Sequence, residues 1–257
     1  MPNIGESSVP TWCFDDSYQW YDDEPLLSIR SVFHDLGYFG KNLFTGDALG
    51  IITPFLPFWA ASYNWDDRTH RRFYCPQHHR NINQCSDTWI DVSECLVGVT
   101  IGTLAACSFA VKCRNLQRTA QLYAITLPLT WAAKSLVKQI HWKGNRRPGH
   151  GDFPRGCHWG GFPSGHMLEM TYATVLFGLS MGPGFAIPLG ISTGIIAATF
   201  VQTNRHYISQ LVAGSAIGTL FGFAAYWSVS RAEYGSPLRI SCGGNSDGVS
   251  LRASYEW

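Results

Sequence analysis

Two histidines in this sequence stand where covalent phosphoryl transfer would need them. His166 ends the turn Phe162-Pro163-Ser164-Gly165-His166, and His206 follows Arg205 about forty residues later, each beside an apolar stretch. Such chemistry requires a nucleophile, an acid for the leaving oxygen and hydrogen-bond donors around the phosphate. Two imidazoles, small residues and exposed backbone N–H groups supply these parts, provided that the fold brings the two histidines together.

The elements that must position the histidines are apolar segments of low charge. Charged residues make up 14% of the chain, below the roughly 25% that is usual in soluble domains. Apolar residues make up 46% and the mean hydropathy is −0.04, so charge and apolar character are unevenly distributed. Six apolar segments follow one another: Ala48–Tyr63, Cys95–Lys112, Thr119–Ile140, His166–Gly182, Phe185–Thr203 and Leu211–Val229.

These segments predict an all-α fold, a bundle of about six helices. The late segments are rich in Gly, Ala, Ser and Thr, which let helices approach closely in membranes, and several are near the minimum length for crossing a bilayer. The sequence therefore favours a polytopic transmembrane bundle over residues 46–230, between a polar N-terminal segment (1–45) and a loose C-terminal tail (231–257). A soluble bundle is the alternative.

Composition also limits partners and targeting. The formal net charge of +1 argues against a nucleic-acid partner. The first thirty residues are acidic and contain no basic-then-apolar run, so we expect no cleavable signal peptide.

If every late segment crosses the membrane, three distant polar groups meet at one end of the bundle. They are the basic run Lys138–Arg147, the turn Ser164–His166 and the pair Arg205-His206. The opposite end carries four basic residues: Lys112, Arg114, Arg118 and Arg231. By the positive-inside rule that end is cytoplasmic and the histidines are extracytoplasmic, although the histidine end carries at least as many basic residues.

Each of these groups also has an ordinary structural explanation. Arg donates two hydrogen bonds to a phosphate and Lys supplies a mobile charge, but a basic run also anchors a helix end at a membrane surface. Ser164 and Gly165 suit helix capping, while a helix N-terminus also binds anions. The three groups together, in this order and at one end, favour a phosphate site.

This order of residues resembles the type 2 phosphatidic acid phosphatase superfamily. That superfamily includes lipid phosphate phosphatases, soluble acid phosphatases and vanadium haloperoxidases. Its motifs are a Lys six residues before Arg-Pro, then Pro-Ser-Gly-His, then Ser-Arg, five residues, His, three residues and Asp. The likeness covers roughly Ala48–Trp227, with the second motif intact and a close match over Arg205–Gly214.

The resemblance implies a role for each matching residue. His206 would be the nucleophile that forms a phosphohistidine, and His166 would protonate the leaving alcohol and then activate water. The phosphate would be held by Lys138, Arg147, Ser164 and the Gly165 N–H. The resemblance implies no metal or other cofactor, and its substrates would be lipid phosphomonoesters or isoprenoid pyrophosphates at a membrane.

The first motif departs from the family pattern in its spacing. Eight residues separate Lys138 from Arg147-Pro148, where the family has six. Either the loop carries an insertion of two residues, or Lys143 or Arg146 takes part in phosphate binding.

The third motif departs at two positions. Phe200 stands where the family has Arg, so Arg205 or Arg146 would have to supply that charge. Gln210 replaces the Asp that orients the nucleophilic His; Gln accepts the Nδ1–H bond but cannot stabilise an imidazolium by charge. An Asp-to-amide change of this kind costs about 10⁴ in rate in serine proteases.

Three functions therefore compete. The first is a membrane phosphatase or phosphotransferase that uses a phosphohistidine. The second is a catalytically reduced membrane protein that binds phospholipid or phosphate headgroups; recovery of strong activity on changing Gln210 to Asp and Phe200 to Arg would mark it as derived from an active ancestor. The third is a soluble acid phosphatase or vanadate-binding oxidase of the same fold.

Three further features lie near these motifs. One loop contains Cys75, His78, His79 and Cys85; it is a zinc site, a Cys75–Cys85 disulfide or a plain polar loop. Another holds candidate residues for the rim of the pocket: His141, His150, Cys157 and His158. Glu169 lies one turn after His166, and because a carboxylate inside a membrane bundle is costly, we expect it to pair with a basic or hydroxyl group.

Overall fold

The computed structural model describes residues 29–75, 80–81, 86–110, 113–148, 160–230, 238–245 and 248–255. Eight α-helices form this part of the chain: α1 (Ile29–Leu43), α2 (Gly46–Ile52), α3 (Phe55–Phe73), α4 (Ser86–Ala110), α5 (Arg114–Lys138), α6 (Gly165–Met181), α7 (Pro183–Gln202) and α8 (Ile208–Ser230). Two small antiparallel hairpins accompany them: β1 (Tyr74–Cys75) with β2 (Arg80–Asn81), and β3 (Leu238–Asn245) with β4 (Gly248–Tyr255). The predicted all-α bundle is confirmed as the body of the molecule.

The centre of the bundle is the contact between α6 and α8, which α5 and α7 cover from either side. Glycines at every fourth position of α8 face α6, and they leave no room for a side chain. A Cβ at Gly214 would lie 2.5 Å from the Ser164 carbonyl oxygen, and one at Gly222 would lie 2.6 Å from Val175 Cβ. This glycine seam (Gly214, Gly218 and Gly222) fixes the distance between α6 and α8.

The first helix belongs to the bundle, which in the described residues begins at Ile29 rather than at residue 46. Phe39 is fully buried, and its ring lies edge-on to Phe221 of α8 with centroids 5.4 Å apart. Asn42 is also fully buried and donates from Nδ2 to the Ala224 carbonyl oxygen at 3.3 Å. The first 45 residues are polar overall, yet they contain one helix that packs on α8.

The predicted segment Ala48–Tyr63 is not one helix. The chain breaks at Thr53-Pro54 between α2 and α3, because proline lacks the N–H that would continue the ladder and clashes with the preceding turn. A separate bend of 61° lies between α1 and α2, where the stretches Asp35–Leu43 and Gly46–Phe73 meet, and these two stretches together are apolar and long enough to form one bent span.

Three described helices are long and apolar enough to cross a membrane: Thr88–Ala110, Pro183–Gln202 and Ile208–Ser228. Large apolar side chains such as Phe109, Ile187 and Ile191 are exposed on their outer faces. By length and composition these helices identify an integral membrane protein. In α6, by contrast, ten residues of its seventeen are buried by neighbouring helices, although its own first turn reaches the histidine end.

Within the predicted loose tail, residues 231–257, the described residues form a hairpin, while residues 231–237, 246–247 and 256–257 lie outside the described part of the chain. Strands β3 and β4 pair in register from Leu238 opposite Tyr255 to Asn245 opposite Gly248. Apolar and polar residues alternate in Leu238-Arg239-Ile240-Ser241 and in Val249-Ser250-Leu251-Arg252, which is the period of a strand. That alternation outweighs the Gly- and Ser-rich composition on which the prediction rested.

Candidate active site

Three connections meet at one end of the bundle, as the topology predicted. They are the 3₁₀ turn Lys143–Asn145 after α5, residues 160–164 before α6, and residues 203–207 between α7 and α8. The Gly161 N–H donates to the Asn145 carbonyl oxygen at 3.0 Å, and the Ser164 N–H donates to the Gln210 carbonyl oxygen at 3.0 Å. Backbone hydrogen bonds therefore hold the three motif segments against one another.

The rings of both histidines contact the ring of Phe200. The centroid of the Phe200 ring is 5.2 Å from that of His166 and 5.7 Å from that of His206. Phe200 is 1% exposed, and it occupies the position at which the family carries Arg. The place of that positive charge is thus filled by an apolar ring that both imidazoles contact.

Gln210 fixes the tautomer of His206. Its Nε2 donates to the carbonyl oxygens of Gly144 at 3.0 Å and Arg146 at 2.6 Å, so the amide can face only one way. Its Oε1 therefore faces His206 Nδ1 at 3.2 Å and also accepts from the Tyr207 N–H. Since Oε1 is an acceptor, Nδ1 carries the proton and the lone pair is on Nε2 of the neutral ring.

The charge around His206 is positive. Burial lowers the pKa of the His206 imidazole well below its ordinary value, and the charges of Arg147, Lys138 and His166 lower it further, against the hydrogen bond to Gln210. Lys138 ends α5 and Arg147 follows the 3₁₀ turn, so both cations reach the histidines despite the longer spacing of the first motif. A cluster with this charge favours an anionic ligand.

Ser164 and Gly165 form the start of α6 at the centre of this cluster. Ser164 is fully buried, it caps no backbone N–H, and within the described residues its Oγ has no hydrogen-bond partner. Gly165 begins the helix, so its N–H is one of those that an α-helix leaves unpaired. A buried hydroxyl and a helix N-terminus beside two cations make a suitable cradle for phosphate oxygens.

Two predicted phosphate ligands are placed differently from Lys138 and Arg147. Arg205 Nη2 pairs with Glu94 Oε1 of α4 at 3.0 Å. The Arg146 side chain is exposed, and its carbonyl oxygen is what enters the site, as the acceptor from Gln210. Lys143 is also exposed.

A buried ion pair between Lys134 and Glu169 confirms the expectation that Glu169 finds a basic partner. Lys134 lies one turn before Lys138 on α5, and a Cβ at Gly165 would lie 3.2 Å from its Nζ. The spacing of four residues between the two lysines was the signal that could have found it, because residues four apart share a helix face.

Asn145 is a second residue that the sequence interpretation missed. It is fully buried, and its Nδ2 donates to the carbonyl oxygens of Lys138 at 3.0 Å and Ile140 at 2.7 Å. Its Oδ1 accepts from the Phe162 N–H at 2.9 Å. A lone Asn in a basic loop gives no sequence signal for this role.

Helix α3 also supports the histidine end. The Asp66 carboxylate accepts from the Ser209 N–H at 3.0 Å and from Ser209 Oγ at 2.5 Å, so it caps the start of α8 beside His206. His70 Nδ1 lies 3.1 Å from Asn204 Oδ1 in the α7–α8 connection. These pairs join residues far apart in sequence, so no local sequence pattern predicts them.

Some predicted features lie outside the described residues. His78, His79 and Cys85 do, so neither the zinc interpretation nor the Cys75–Cys85 pairing can be placed, and the same holds for three rim candidates, His150, Cys157 and His158. His141 is described and exposed. Within the described ranges, no group of three or more His, Cys, Asp or Glu residues is arranged to hold a metal ion.

Residues 142–234 match the family model described as the PAP2 superfamily. The chain carries a PAP2 region. The resemblance is thereby confirmed over residues 142–234, which contain the second and third motifs. The PAP2 match begins just after Lys138, which the structure nevertheless brings to the same cluster.

Among solved structures, the chain is similar to the crystal structure of the first transmembrane PAP2-type phosphatidylglycerolphosphate phosphatase from Bacillus subtilis. The identity is 15% and the TM-score is 0.45, and the alignment covers 76% of this chain and 92% of that chain. No curated protein sequence matches the chain significantly.

Proposed function

We propose that this PAP2 protein is a membrane phosphatase that forms a phosphohistidine at His206. It would remove phosphate from a lipid phosphomonoester or an isoprenoid pyrophosphate, or transfer it to an acceptor. The observation that carries the proposal is the tautomer of His206, which Gln210 holds with the proton on Nδ1. A neutral imidazole whose Nε2 bears the lone pair is the form that attacks phosphorus.

The reaction would proceed in two steps. His206 Nε2 forms a bond to phosphorus while the bond to the ester oxygen breaks, and His166 gives that oxygen a proton. Water then attacks phosphorus, His166 takes a proton from the water, and the bond from phosphorus to Nε2 breaks to release phosphate. Both imidazoles contact Phe200, which supports their action on one substrate.

The phosphate oxygens would be held by Lys138, Arg147, Ser164 Oγ and the Gly165 N–H. Arg147 offers paired donors and Lys138 a point charge. The hydroxyl of Ser164, which has no partner in the part of the chain that the structure describes, would receive one. These groups supply positive charge and donors where charge develops in the transition state.

An apolar cavity beside the histidines supports a lipid substrate. It has a volume of about 700 Å³ and lies between α3, α7 and α8. Met167, next to His166, and Ile208, two residues after His206, line it together with Phe58 and Leu211. An acyl or isoprenoid chain would fit such a lining.

The site would face the extracytoplasmic side. Arg114 and Arg118, in the first turns of α5, lie at the opposite end of the bundle, and basic residues next to spanning helices favour the cytoplasm. Labelling of single cysteines placed at Lys143 and at Asn115 with a membrane-impermeant maleimide in intact cells would test this orientation. Labelling at Asn115 alone would reverse it.

The test of the function is phosphate release by detergent-purified protein from lipid phosphates, isoprenoid pyrophosphate and para-nitrophenyl phosphate. We expect release that is lost in His206→Ala and retained in His34→Ala, which changes a histidine of α1 at the opposite end of the bundle. Thermal midpoints of both variants control for folding. Equal release by wild type and folded His206→Ala would refute the phosphohistidine.

A second candidate is a protein that binds phosphate headgroups without turnover. The buried Phe200 ring, which takes the place of the family's Arg, favours it. Wild-type protein that binds inorganic phosphate in calorimetry and releases none from any substrate would establish this candidate.

A further inference from the structure

Gln210 touches all three motif segments of the candidate site. Its Oε1 faces His206 Nδ1, its Nε2 donates to the carbonyl oxygens of Gly144 and Arg146, and its own carbonyl oxygen accepts from the Ser164 N–H. We propose that Gln210 is a positioning residue that ties the loop carrying Arg147 to the nucleophile, and that the family's Asp cannot replace it in this chain. The link to phosphate rests on the proposed function.

Gln210 holds the loop through the two hydrogen bonds that its Nε2 donates. Gly144 O and Arg146 O both point at Gln210, which is fully buried. A carboxylate has no hydrogen to give, so Asp or Glu would face two carbonyl oxygens with negative charge and leave both without this donor. A protonated Glu would satisfy one of them at most. A fully buried carboxylate that faces two carbonyl oxygens is unfavourable, because burying a charge without a compensating partner costs free energy.

The packing around Gln210 is equally specific. A Cβ at Gly161 would lie 2.6 Å from Gln210 Nε2, so the chain before α6 rests directly on this amide. The Gly161 N–H in turn donates to Asn145 O, within the same basic loop. Loop 143–147 is thus held between the end of α5 and one side chain of α8, with Arg147 immediately after the last held carbonyl.

Two consequences separate this role from a weakened copy of the family's Asp. If Gln210 only oriented His206, an acidic residue would raise kcat and leave phosphate affinity unchanged. If Gln210 also holds the loop, an acidic residue releases Arg147, so affinity for phosphate falls. Gln210→Glu is the sharper variant because it keeps the length and the acceptor oxygen and replaces the donor NH₂ with a charged acceptor oxygen.

The experiment compares Gln210→Glu, Gln210→Asp and Gln210→Leu with Gln121→Glu as a matched control. Gln121 is also buried and donates from Nε2 to a backbone carbonyl, Ser108 O, but at the opposite end of the bundle. Three measurements are made on the full-length protein: hydrogen–deuterium exchange of the peptide spanning 142–148, the Kd for inorganic phosphate, and kcat and KM. Thermal midpoints report the loss of stability in each variant.

We expect faster exchange of 142–148 in all three Gln210 variants and not in Gln121→Glu or His206→Ala. The Kd for phosphate and the KM should rise roughly tenfold, about 1.4 kcal/mol, in Gln210→Glu and Gln210→Asp. The control should lose thermal stability with Kd and KM unchanged. Exchange as slow as in wild type, or a higher kcat with unchanged KM, would overturn the proposal.

The outcomes also separate this inference from the proposed function. A wild-type protein without turnover, whose phosphate affinity still depends on Gln210, would refute the phosphatase and support the positioning role. A wild-type phosphatase whose Gln210→Asp variant is faster and equally well ordered would do the reverse. A protein that neither turns over nor binds phosphate would refute both proposals.

Discussion

The two ends of the helix bundle use buried polar residues in opposite ways. At the end opposite the histidines, Arg118 pairs with Asp35, and Asn42 bonds to Ala224 and Ser228. At the histidine end, Lys138 and Arg147 place positive charge on both imidazoles, and Ser164 Oγ has no partner among the described residues. Closed pairs stabilise a fold, whereas an excess of charge and donors prepares a site for a ligand.

The largest expected contrast compares His166 with Asn42. His166→Ala should lower kcat by roughly 10²–10⁴, the usual contribution of a general acid and base, with little effect on stability. Asn42→Ala should instead destabilise the fold by about 1–3 kcal/mol, because it removes the two hydrogen bonds that this fully buried amide donates to Ala224 O and Ser228 Oγ. Steady-state rates and thermal midpoints check both variants. If His166→Ala and Asn42→Ala lost the same kcat per folded molecule, the two ends of the bundle would not differ in their roles.

The next contrast compares two arginines. Arg147→Ala should raise KM at least tenfold, since it removes a phosphate donor, and leave the thermal midpoint nearly unchanged. Arg118→Ala should leave KM unchanged and cost about 3 kcal/mol, because it removes the ion pair of Arg118 with the buried Asp35 carboxylate. Chemical denaturation and initial rates measure the two effects. A KM that responds to Arg118 would show that the opposite end also binds substrate.

The pH dependence sharpens the account of the histidine end. Protonation of His206 would block Nε2, and its pKa is lowered by burial and by Arg147, Lys138 and His166. The acid limb of kcat/KM that His206 sets should therefore lie below about 6.5, the ordinary value for His. In Arg147→Ala the limb should move to higher pH, because one positive charge is gone. An acid limb above about pH 6.5 in wild type, or one that does not move in Arg147→Ala, would contradict the assignment of this limb to His206.

The smallest contrast compares two serines. Ser164→Ala should raise KM a few-fold and leave stability unchanged, since the hydroxyl has no partner in the described structure without ligand. Ser228→Ala should leave KM unchanged and cost about 1 kcal/mol, because its Oγ bonds to Ala224 O and to Asn42. Calorimetric unfolding measures the stability of each serine variant, and initial rates give its KM. Stability lost at Ser164 rather than at Ser228 would make Ser164 a capping residue.

Much of the histidine end was predictable from the sequence because its parts are local. Pro-Ser-Gly-His before an apolar segment and Arg-His between two segments define positions on helices, and alternation of direction brings them together. Lys134 was within reach by the same reasoning, through its spacing from Lys138. The partner of Glu169 was predicted as a class and found as Lys134.

The remainder depends on contacts that no local pattern encodes. The two acceptors of Gln210 Nε2 are backbone carbonyls 64 and 66 residues away, and any residue could have supplied them. The Asp66–Ser209 cap joins residues 143 apart. The first helix is an exception: its stretch of sequence is polar overall, but its apolar residues recur at the period of a helix, and this signal was missed.

The glycine seam has a consequence for how such a protein can change over generations. Gly214 and Gly218 of α8 meet the main chain at Ser164, just before α6, and at Leu168 of α6, so the separation of α6 and α8 does not depend on side chains such as Phe200 or Gln210. Substitutions at Phe200 or Gln210 can therefore alter the chemistry of the site while the helix packing stays the same. Descendants of such a protein could thus acquire a different activity, or lose activity, while they keep the same packing of helices.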